Sequence, residues 1–92
     1  MKTTIKNLTL TIQVFKEGKY FVSYNPELKV ASCGKSIDEA KDKLKEAISG
    51  FLKVAKEMNT LDEIMEEAGF SYKQHKWFAP ELLVMDRLSL AF

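Results

Sequence analysis

A strong helix start at Ser36, directly after a run of β-type residues, restricts the fold of this chain more than any other feature. Ser36 stands at the N-cap position and Glu39 follows three residues later, which is the spacing of a capping box. Asp38 adds negative charge to the first turn, where the helix dipole favours it. The sequence therefore predicts a helix that begins at Ser36 and ends near Asn59.

Apolar residues recur at intervals of three and four along this helix, which indicates that one face packs against a sheet. The stripe consists of Ile37, Ala40, Leu44, Ala47, Ile48, Phe51, Leu52 and Ala55. Gly50 interrupts the pattern, at a cost of about 1 kcal/mol relative to alanine.

Two β-type runs that precede the helix predict a hairpin. The first covers about Thr3 to Phe15 and alternates strictly between apolar and polar residues from Leu8 onward. Lys16-Glu17-Gly18-Lys19 is predicted to be the turn, in which Gly18 supplies the positive φ of a tight hairpin. The return strand covers Tyr20 to Tyr24.

The return strand is predicted to stop at Asn25-Pro26, because proline cannot donate to a strand ladder. A short third strand, from about Lys29 to Ser32, ends at Gly34. Tyr20 and Val22 are expected to pack, whereas the turn positions that follow are expected to lie outside the core.

A second capping box follows the long helix. Thr60 and Glu63 have the required spacing, and they predict a short helix that runs through Ala68 and ends at Gly69.

The last part of the chain is rich in aromatic and β-type residues. Phe70 to Phe78 is a hairpin candidate, and Pro80 separates it from a final apolar run, Leu82 to Phe92. This run is too apolar for an exposed edge strand. We therefore expect it to complete the chain's own sheet or to pair with a second copy, which favours a homodimer or a higher homo-oligomer.

Together these elements predict an α+β fold with a three-stranded antiparallel sheet, a long packed helix and a short second helix. C-terminal β segments complete this β-β-β-α-α order. Residues 1–92 form one domain, with a core over 3–69 and a C-terminal β extension over 70–92.

Composition excludes several classes of function. The net charge of +1 argues against a dominant phosphate-binding surface. A single cysteine excludes an intramolecular disulfide and a cysteine-based metal cluster. No apolar run is long enough to span a membrane and the N-terminus lacks the pattern of a signal peptide, so a cytoplasmic location without membrane association is expected.

Side chains suited to catalysis are scarce. The first predicted strand carries no carboxylate between Leu8 and Phe15, whereas a two-metal nuclease needs several on its central strands. Cys33 and His75 are the only thiol and the only imidazole. We interpret Cys33 as a small, nearly buried residue at a strand end and His75 as part of a polar turn, and we predict no catalytic, metal-binding or cofactor-binding site.

The stretch from Val14 to Ala55 resembles the HicB-type antitoxin family. The similarity lies in the glycine turn, the strand that ends in Tyr24-Asn25-Pro26-Glu27-Leu28, the short strand Val30-Ala31-Ser32-Cys33-Gly34, and the helix start Ser36-Ile37-Asp38-Glu39-Ala40. Leu44-Lys45-Glu46-Ala47 also fits the family's helix.

This resemblance implies a partial ribonuclease-H-like fold without nuclease activity. It also implies a partner, a HicA-type toxin that degrades messenger RNA and that the antitoxin neutralises by stoichiometric contact. Many relatives carry a C-terminal DNA-binding segment, but residues 70–92 leave no room for a helix-turn-helix, so DNA binding is not expected. We place the partner interface at Tyr24, Asn25, Glu27 and Lys29.

Two alternatives remain open at the level of sequence. One is a small RNA-binding or degenerate ribonuclease-H-like protein that uses Lys73, Lys76 and Trp77 to contact nucleic acid, since aromatic rings stack on bases. In the structural interpretation, Phe70, Tyr72 and Trp77 cover the core while the lysines face solvent. The other alternative is a stand-alone dimerisation module.

Overall fold

The three-stranded antiparallel sheet and the two successive helices are present in the computed structural model, which describes residues 8–92. The predicted α+β class is confirmed. The elements are β1 (Gln13–Glu17), β2 (Tyr20–Asn25), β3 (Val30–Gly34), α1 (Ile37–Glu57), α2 (Leu61–Glu67), β4 (Ser71–Lys73) and β5 (Lys76–Phe78). The first three strands form one sheet in the order β1-β2-β3, and β4 and β5 form a separate two-stranded sheet.

The first strand is shorter than predicted. Residues 3–7 lie outside the described part of the chain, and residues 8–12 do not form a strand although their apolar side chains pack on the core. In the β1–β2 ladder the last pair is Gln13 with Tyr24, so residues 8–11 would have to pair beyond Asn25, the end of β2. Pro26 and the turn after Asn25 remove that partner strand.

A tight turn joins β1 to β2, but it is shorter than predicted, because Lys16 and Glu17 belong to β1. Glu17 pairs with Tyr20, which leaves Gly18 and Lys19 as the two loop residues, and Gly18 has a φ of 60°. This conformation favours glycine because it carries no Cβ. Strand β3 then pairs antiparallel with the other side of β2, so β1 and β3 are the two edges of the sheet.

The start of α1 follows the predicted capping box with one difference. The Ser36 hydroxyl accepts a hydrogen bond from the Glu39 amide at 3.0 Å, as expected. The Glu39 carboxylate, however, accepts from the Lys35 amide at 3.1 Å, one residue before the cap. The helix ends at Glu57 with Met58 as its C-cap, and Asn59 follows with a φ of 59°, which confirms the predicted stop near Asn59.

Helix α1 packs on the sheet through part of its predicted stripe. Ala40, Leu44, Ile48 and Ala55 are buried. Ile37 and Phe51 differ from the prediction: they are 53% and 37% exposed. The shared face is therefore narrower than the apolar stripe.

The closest approach of sheet and helix is at Gly34. A Cβ at this position would lie 2.6 Å from the backbone nitrogen of Ala40, closer than real Cβ contacts permit. Glycine is therefore required here by the backbone of α1, independently of the turn that Gly34 precedes.

The second helix has a different cap from the one predicted. Thr60 is its N-cap residue, but its hydroxyl donates to the Ala55 carbonyl at 3.3 Å and makes no capping bond to α2. The predicted end is confirmed, since Ala68 is the C-cap and Gly69 follows with a φ of 90°.

The hairpin predicted over residues 70–78 is confirmed. Strands β4 and β5 are joined by Gln74 and His75, which have φ values of 51° and 64°. Two positive φ values match the twist of a two-residue hairpin. Phe70 and Trp77 are buried, so this hairpin extends the core beyond the predicted limit at residue 69.

The final run, Leu82 to Phe92, does not complete the chain's own sheet, and its pairing with a second copy stays a prediction. Residues 79–92 belong to no helix or strand, and residues 81–92 are all exposed. We call residues 82–92 the tail. No strand of the described chain forms a ladder with it, and an apolar alternation without such a partner does not produce a strand.

Candidate partner-binding surface

One face of the three-stranded sheet points away from α1. The Ser23 hydroxyl donates to the Ala40 carbonyl of α1 at 2.7 Å, so the odd-numbered residues of β2 face the helix. Side chains alternate along a strand, and paired residues share a face. The opposite set, here called the outer sheet face, consists of Gln13, Phe15, Glu17, Tyr20, Val22, Tyr24, Ala31 and Cys33.

The outer sheet face is apolar and accessible. Phe15 and Tyr20 are 47% and 53% exposed, and Val22 and Tyr24 are half-buried. The expectation that Tyr20 is a packing residue is therefore wrong. Cys33 is also exposed rather than nearly buried, because the pleat directs it away from α1. This is the kind of surface that a protein partner covers.

Beside this face, two polar side chains take over the role of a missing strand. The Asn25 amide nitrogen donates to the Thr11 carbonyl at 2.8 Å. The Glu27 carboxylate accepts from the Thr11 amide at 2.8 Å and from the Thr11 hydroxyl at 2.6 Å. We call this set of contacts the Thr11 clasp. It satisfies both backbone groups of Thr11, as a neighbouring strand would do.

The two members of the clasp from the turn also hold each other. Asn25 donates to the Glu27 carboxylate at 2.6 Å, and its side-chain oxygen accepts from the Leu28 amide at 2.9 Å. Burial raises the pKa of Glu27, but the hydrogen bonds from Thr11, from its own backbone and from Asn25 outweigh this effect. The pKa therefore lies below its ordinary value of 4.5, and Glu27 is ionised at neutral pH.

The four residues predicted for the partner interface differ in how far they are exposed to solvent. Lys29 is exposed, with a φ of 58°, and Tyr24 lies half-buried on the outer sheet face. Glu27 is half-buried in the clasp. Asn25 is fully buried, against the expectation that it lies outside the core, because its amide bonds the backbone on two sides.

Two accessible aromatic residues of the outer sheet face, Phe15 and Tyr20, were not among the predicted interface residues. The alternation of the first two runs contained the necessary information: Ser23 and Asn25 share a face that leaves Tyr20, Val22 and Tyr24 on the other. What the sequence lacked was the side of the sheet on which the helix packs.

The residues of the nucleic-acid alternative do not form a stacking platform. Trp77 is only 4% exposed, and its ring packs edge-on against Tyr72 with centroids 5.1 Å apart. Lys73 and Lys76 are exposed and face each other across the hairpin. Phe70, Tyr72 and Trp77 belong to the core, as the structural interpretation holds, and Phe78 and the two lysines remain accessible.

A cleft of about 780 Å³ lies beside this hairpin and is lined by Thr9 and residues 74–79, among them His75. Within residues 8–92, no group of three or more histidine, cysteine or acidic side chains is placed to hold a metal ion.

Comparisons with known protein families, with curated proteins and with solved structures give no match for this chain. The resemblance to HicB-type antitoxins therefore stays a prediction. None of the helices in the described part of the chain is long and apolar enough to cross a membrane.

Proposed function

We propose that this protein is a non-catalytic binding module of the HicB type, an antitoxin that neutralises a HicA-type toxin by stoichiometric contact. The observation that carries the proposal is the accessible apolar outer sheet face on a rigid sheet-and-helix scaffold. The motif resemblance over residues 14–55 supplies the identity of the partner. The proposed site of action is the cytoplasm, where messenger RNA is degraded.

The chemistry of the outer sheet face fits a protein partner. Tyrosine and phenylalanine bury large areas at protein interfaces, and a tyrosine hydroxyl adds a hydrogen bond at the rim. Tyr20 and Phe15 are the most exposed of these rings. Tyr24 and the exposed Lys29 extend the same surface towards the turn, and Lys29 offers a charge to an acidic group on the toxin.

The clasp gives this surface its rigidity. Asn25 and Glu27 fix the turn between β2 and β3 through four side-chain bonds to Thr11 and Leu28. A pre-ordered surface loses less conformational freedom on binding. In this proposal Asn25 and Glu27 position the interface, while Tyr20, Tyr24 and Lys29 contact the toxin.

The test is co-expression of the chain with the small protein encoded beside its gene, followed by co-purification, light scattering for stoichiometry and rescue of growth. We expect a stoichiometric complex and restored growth. Tyr20→Ala should weaken binding at least tenfold, because a central aromatic contact contributes more than about 1.4 kcal/mol. Absence of any complex with the neighbouring gene product, or no rescue of growth, would refute the proposal.

Phe78→Ala is the matched control. Phe78 is an aromatic residue with similar exposure, 41%, but it lies on the β4–β5 hairpin. The Phe78→Ala variant should bind the toxin with the same affinity as the natural sequence. Equal loss of binding in both variants would contradict the assignment of the outer sheet face.

The nucleic-acid alternative has a separate test. Labelled single-stranded and double-stranded RNA are titrated at low salt, with and without Mg²⁺. We expect weak binding at most, since Trp77 is buried and Lys73 and Lys76 are the only exposed cations of the hairpin. Salt-sensitive binding that is lost in Lys76→Ala would favour the alternative, and cleavage of the RNA would refute a non-catalytic function.

A further inference from the structure

The tail is the largest unpartnered apolar segment of the described chain. Seven large apolar side chains are 59% exposed or more: Leu82, Leu83, Val84, Met85, Leu88, Leu90 and Phe92. Together they offer on the order of 1,000 Å² of apolar surface, whereas a standard protein interface removes about 800 Å² from each partner. A water-exposed patch of this size marks an interaction site.

All residues of the tail are exposed. The backbone hydrogen bonds found outside helices and strands in residues 8–92 all lie between residues 36 and 70. Within residues 8–92, the tail backbone makes no backbone–backbone bond to another segment, and the Arg87 amide donates locally to the Asp86 carboxylate at 2.7 Å.

The complementary surface is on the same chain. Strand β1 is an edge of the sheet, so one side of its backbone has no ladder partner within the described residues. A cleft of about 490 Å³ lies directly beside this edge; residues 12–15 form one wall and residues 85–88 of the tail form the other. The chain's own tail borders the cleft without filling it.

We propose that the tail of a second copy fills this cleft and pairs with the open edge of β1, so that two chains exchange tails in a symmetric dimer. Each copy carries both the strand-like segment and the edge that receives it. In a two-fold symmetric dimer, each tail therefore covers the β1 edge of the other copy, and no further protein is needed. Edge-strand addition supplies the backbone hydrogen bonds that the tail lacks in one chain.

The even-numbered residues of the tail explain the specificity of this pairing. As a strand, the tail places Leu82, Val84, Leu88, Leu90 and Phe92 on one face, interrupted by Asp86. A shift by one residue would turn this face over. Among the described residues, the only charged side chains that line the cleft are Asp86 and Arg87, which cancel in net charge, and the wall of residues 12–15 is uncharged. This inference does not depend on the proposed antitoxin function.

The first test is the mass of the full-length chain at micromolar concentration, by sedimentation and light scattering. We expect twice the 10.5 kDa of one chain. The double variant Val84→Lys, Leu88→Lys should dissociate at least ten times more readily while its circular dichroism stays unchanged, because both side chains are exposed in the monomer. A natural sequence that is only monomeric, or a double variant that stays dimeric, would overturn the proposal.

The matched control is Val54→Lys, Met58→Lys on α1. These side chains are 52% and 66% exposed, so the chemical change is comparable and the location differs. This control should remain dimeric. If it dissociates as the tail variant does, α1 rather than the tail forms the contact.

Exchange between chains is tested by disulfide formation in a Cys33→Ser background. A Gln13→Cys chain is mixed with a differently tagged Arg87→Cys chain, since both positions line the cleft. We expect a disulfide between the two tagged chains. A chain carrying both substitutions that forms only an internal disulfide would refute exchange, and a Lys53→Cys partner on exposed α1 should give no cross-link.

Discussion

Two apolar segments of this chain have similar sequence patterns, but one packs on the core and the other is exposed to solvent. Residues 8–12 and the tail both alternate, both are predicted as strands, and neither is one. Yet Leu8, Leu10 and Ile12 pack against the core, whereas the tail is exposed. The difference is that the clasp ties the backbone of Thr11 to the turn after β2, whereas the bond from the Arg87 amide to Asp86 does not tie the tail to another segment. An apolar pattern makes burial of a segment favourable, but the segment is buried only where its backbone groups also find hydrogen-bond partners.

Among the substitutions that test this comparison, Asn25→Ala should reduce the stability of the protein most. It removes an amide that is buried and bonded to Thr11, Glu27 and Leu28, and so leaves buried polar groups without partners. We expect a loss of about 2 kcal/mol in the free energy of unfolding. Urea denaturation measures it, with the exposed Thr9→Ala as a control that should change stability little. A loss below that of the control would mean that the clasp does not hold residues 8–12.

Leu10→Ala and Leu90→Ala compare the same truncation in the two segments. Leu10 packs against the core, so its truncation should cost about 1.5 kcal/mol, below the range for fully buried leucine. Leu90 is 73% exposed, and its truncation should cost less than about 0.5 kcal/mol in a monomeric tail-variant background. Equal losses would show that the tail is packed in the monomer.

The pH dependence of stability should report the Glu27 carboxylate. Its pKa is lowered on folding, so it stabilises the folded state above its ordinary pKa of 4.5. That contribution is lost as the pH falls from 4.5 through the lowered pKa. The urea midpoint should therefore decrease as the pH is lowered below 4.5. The resulting loss of stability should be smaller than the loss caused by Asn25→Ala.

The control for this titration is a pair of glutamine variants. Glu27→Gln should flatten the acidic part of the profile, while Glu46→Gln on the exposed side of α1 should leave its shape unchanged. If the two variants have the same profile, the clasp carboxylate does not contribute to acid sensitivity.

Gly50→Ala should change stability with the opposite sign. A Cβ at this helical position meets no atom within 4 Å, so alanine should stabilise the protein by about 0.5–1 kcal/mol. The change contacts neither segment, so the difference between Leu10→Ala and Leu90→Ala should persist in this background. Thermal unfolding checks both results, and destabilisation would contradict the open space at Gly50.

Local signals were sufficient to predict most of the fold. The hairpin glycine, the serine cap with its glutamate and the glycine after α2 act over a few residues, and the structure confirms the elements they delimit. Prediction failed where a contact outside the local pattern decides. The Thr60 hydroxyl bonds to the Ala55 carbonyl of the preceding helix instead of capping α2, and the final run has no ladder partner within the described residues.

The candidate surface was harder to predict than the fold for the same reason. Alternation divides β2 into two faces, but it does not say which of them α1 covers. That choice rests on the Ser23 bond to Ala40, between residues far apart in the sequence. The burial of Asn25 likewise depends on Thr11, which lies on another segment.

The exposed thiol of Cys33 makes the outer sheet face directly observable. The chain has a single cysteine, and it lies on this face opposite Val22. An alkylating reagent or a fluorescent label therefore reacts at one place without any engineering. A toxin seated on the sheet would slow that reaction, whereas tail exchange at the β1 edge leaves the far strand accessible. The reactivity of the Cys33 sulfur thus distinguishes a toxin bound on the outer sheet face from a tail bound at the β1 edge.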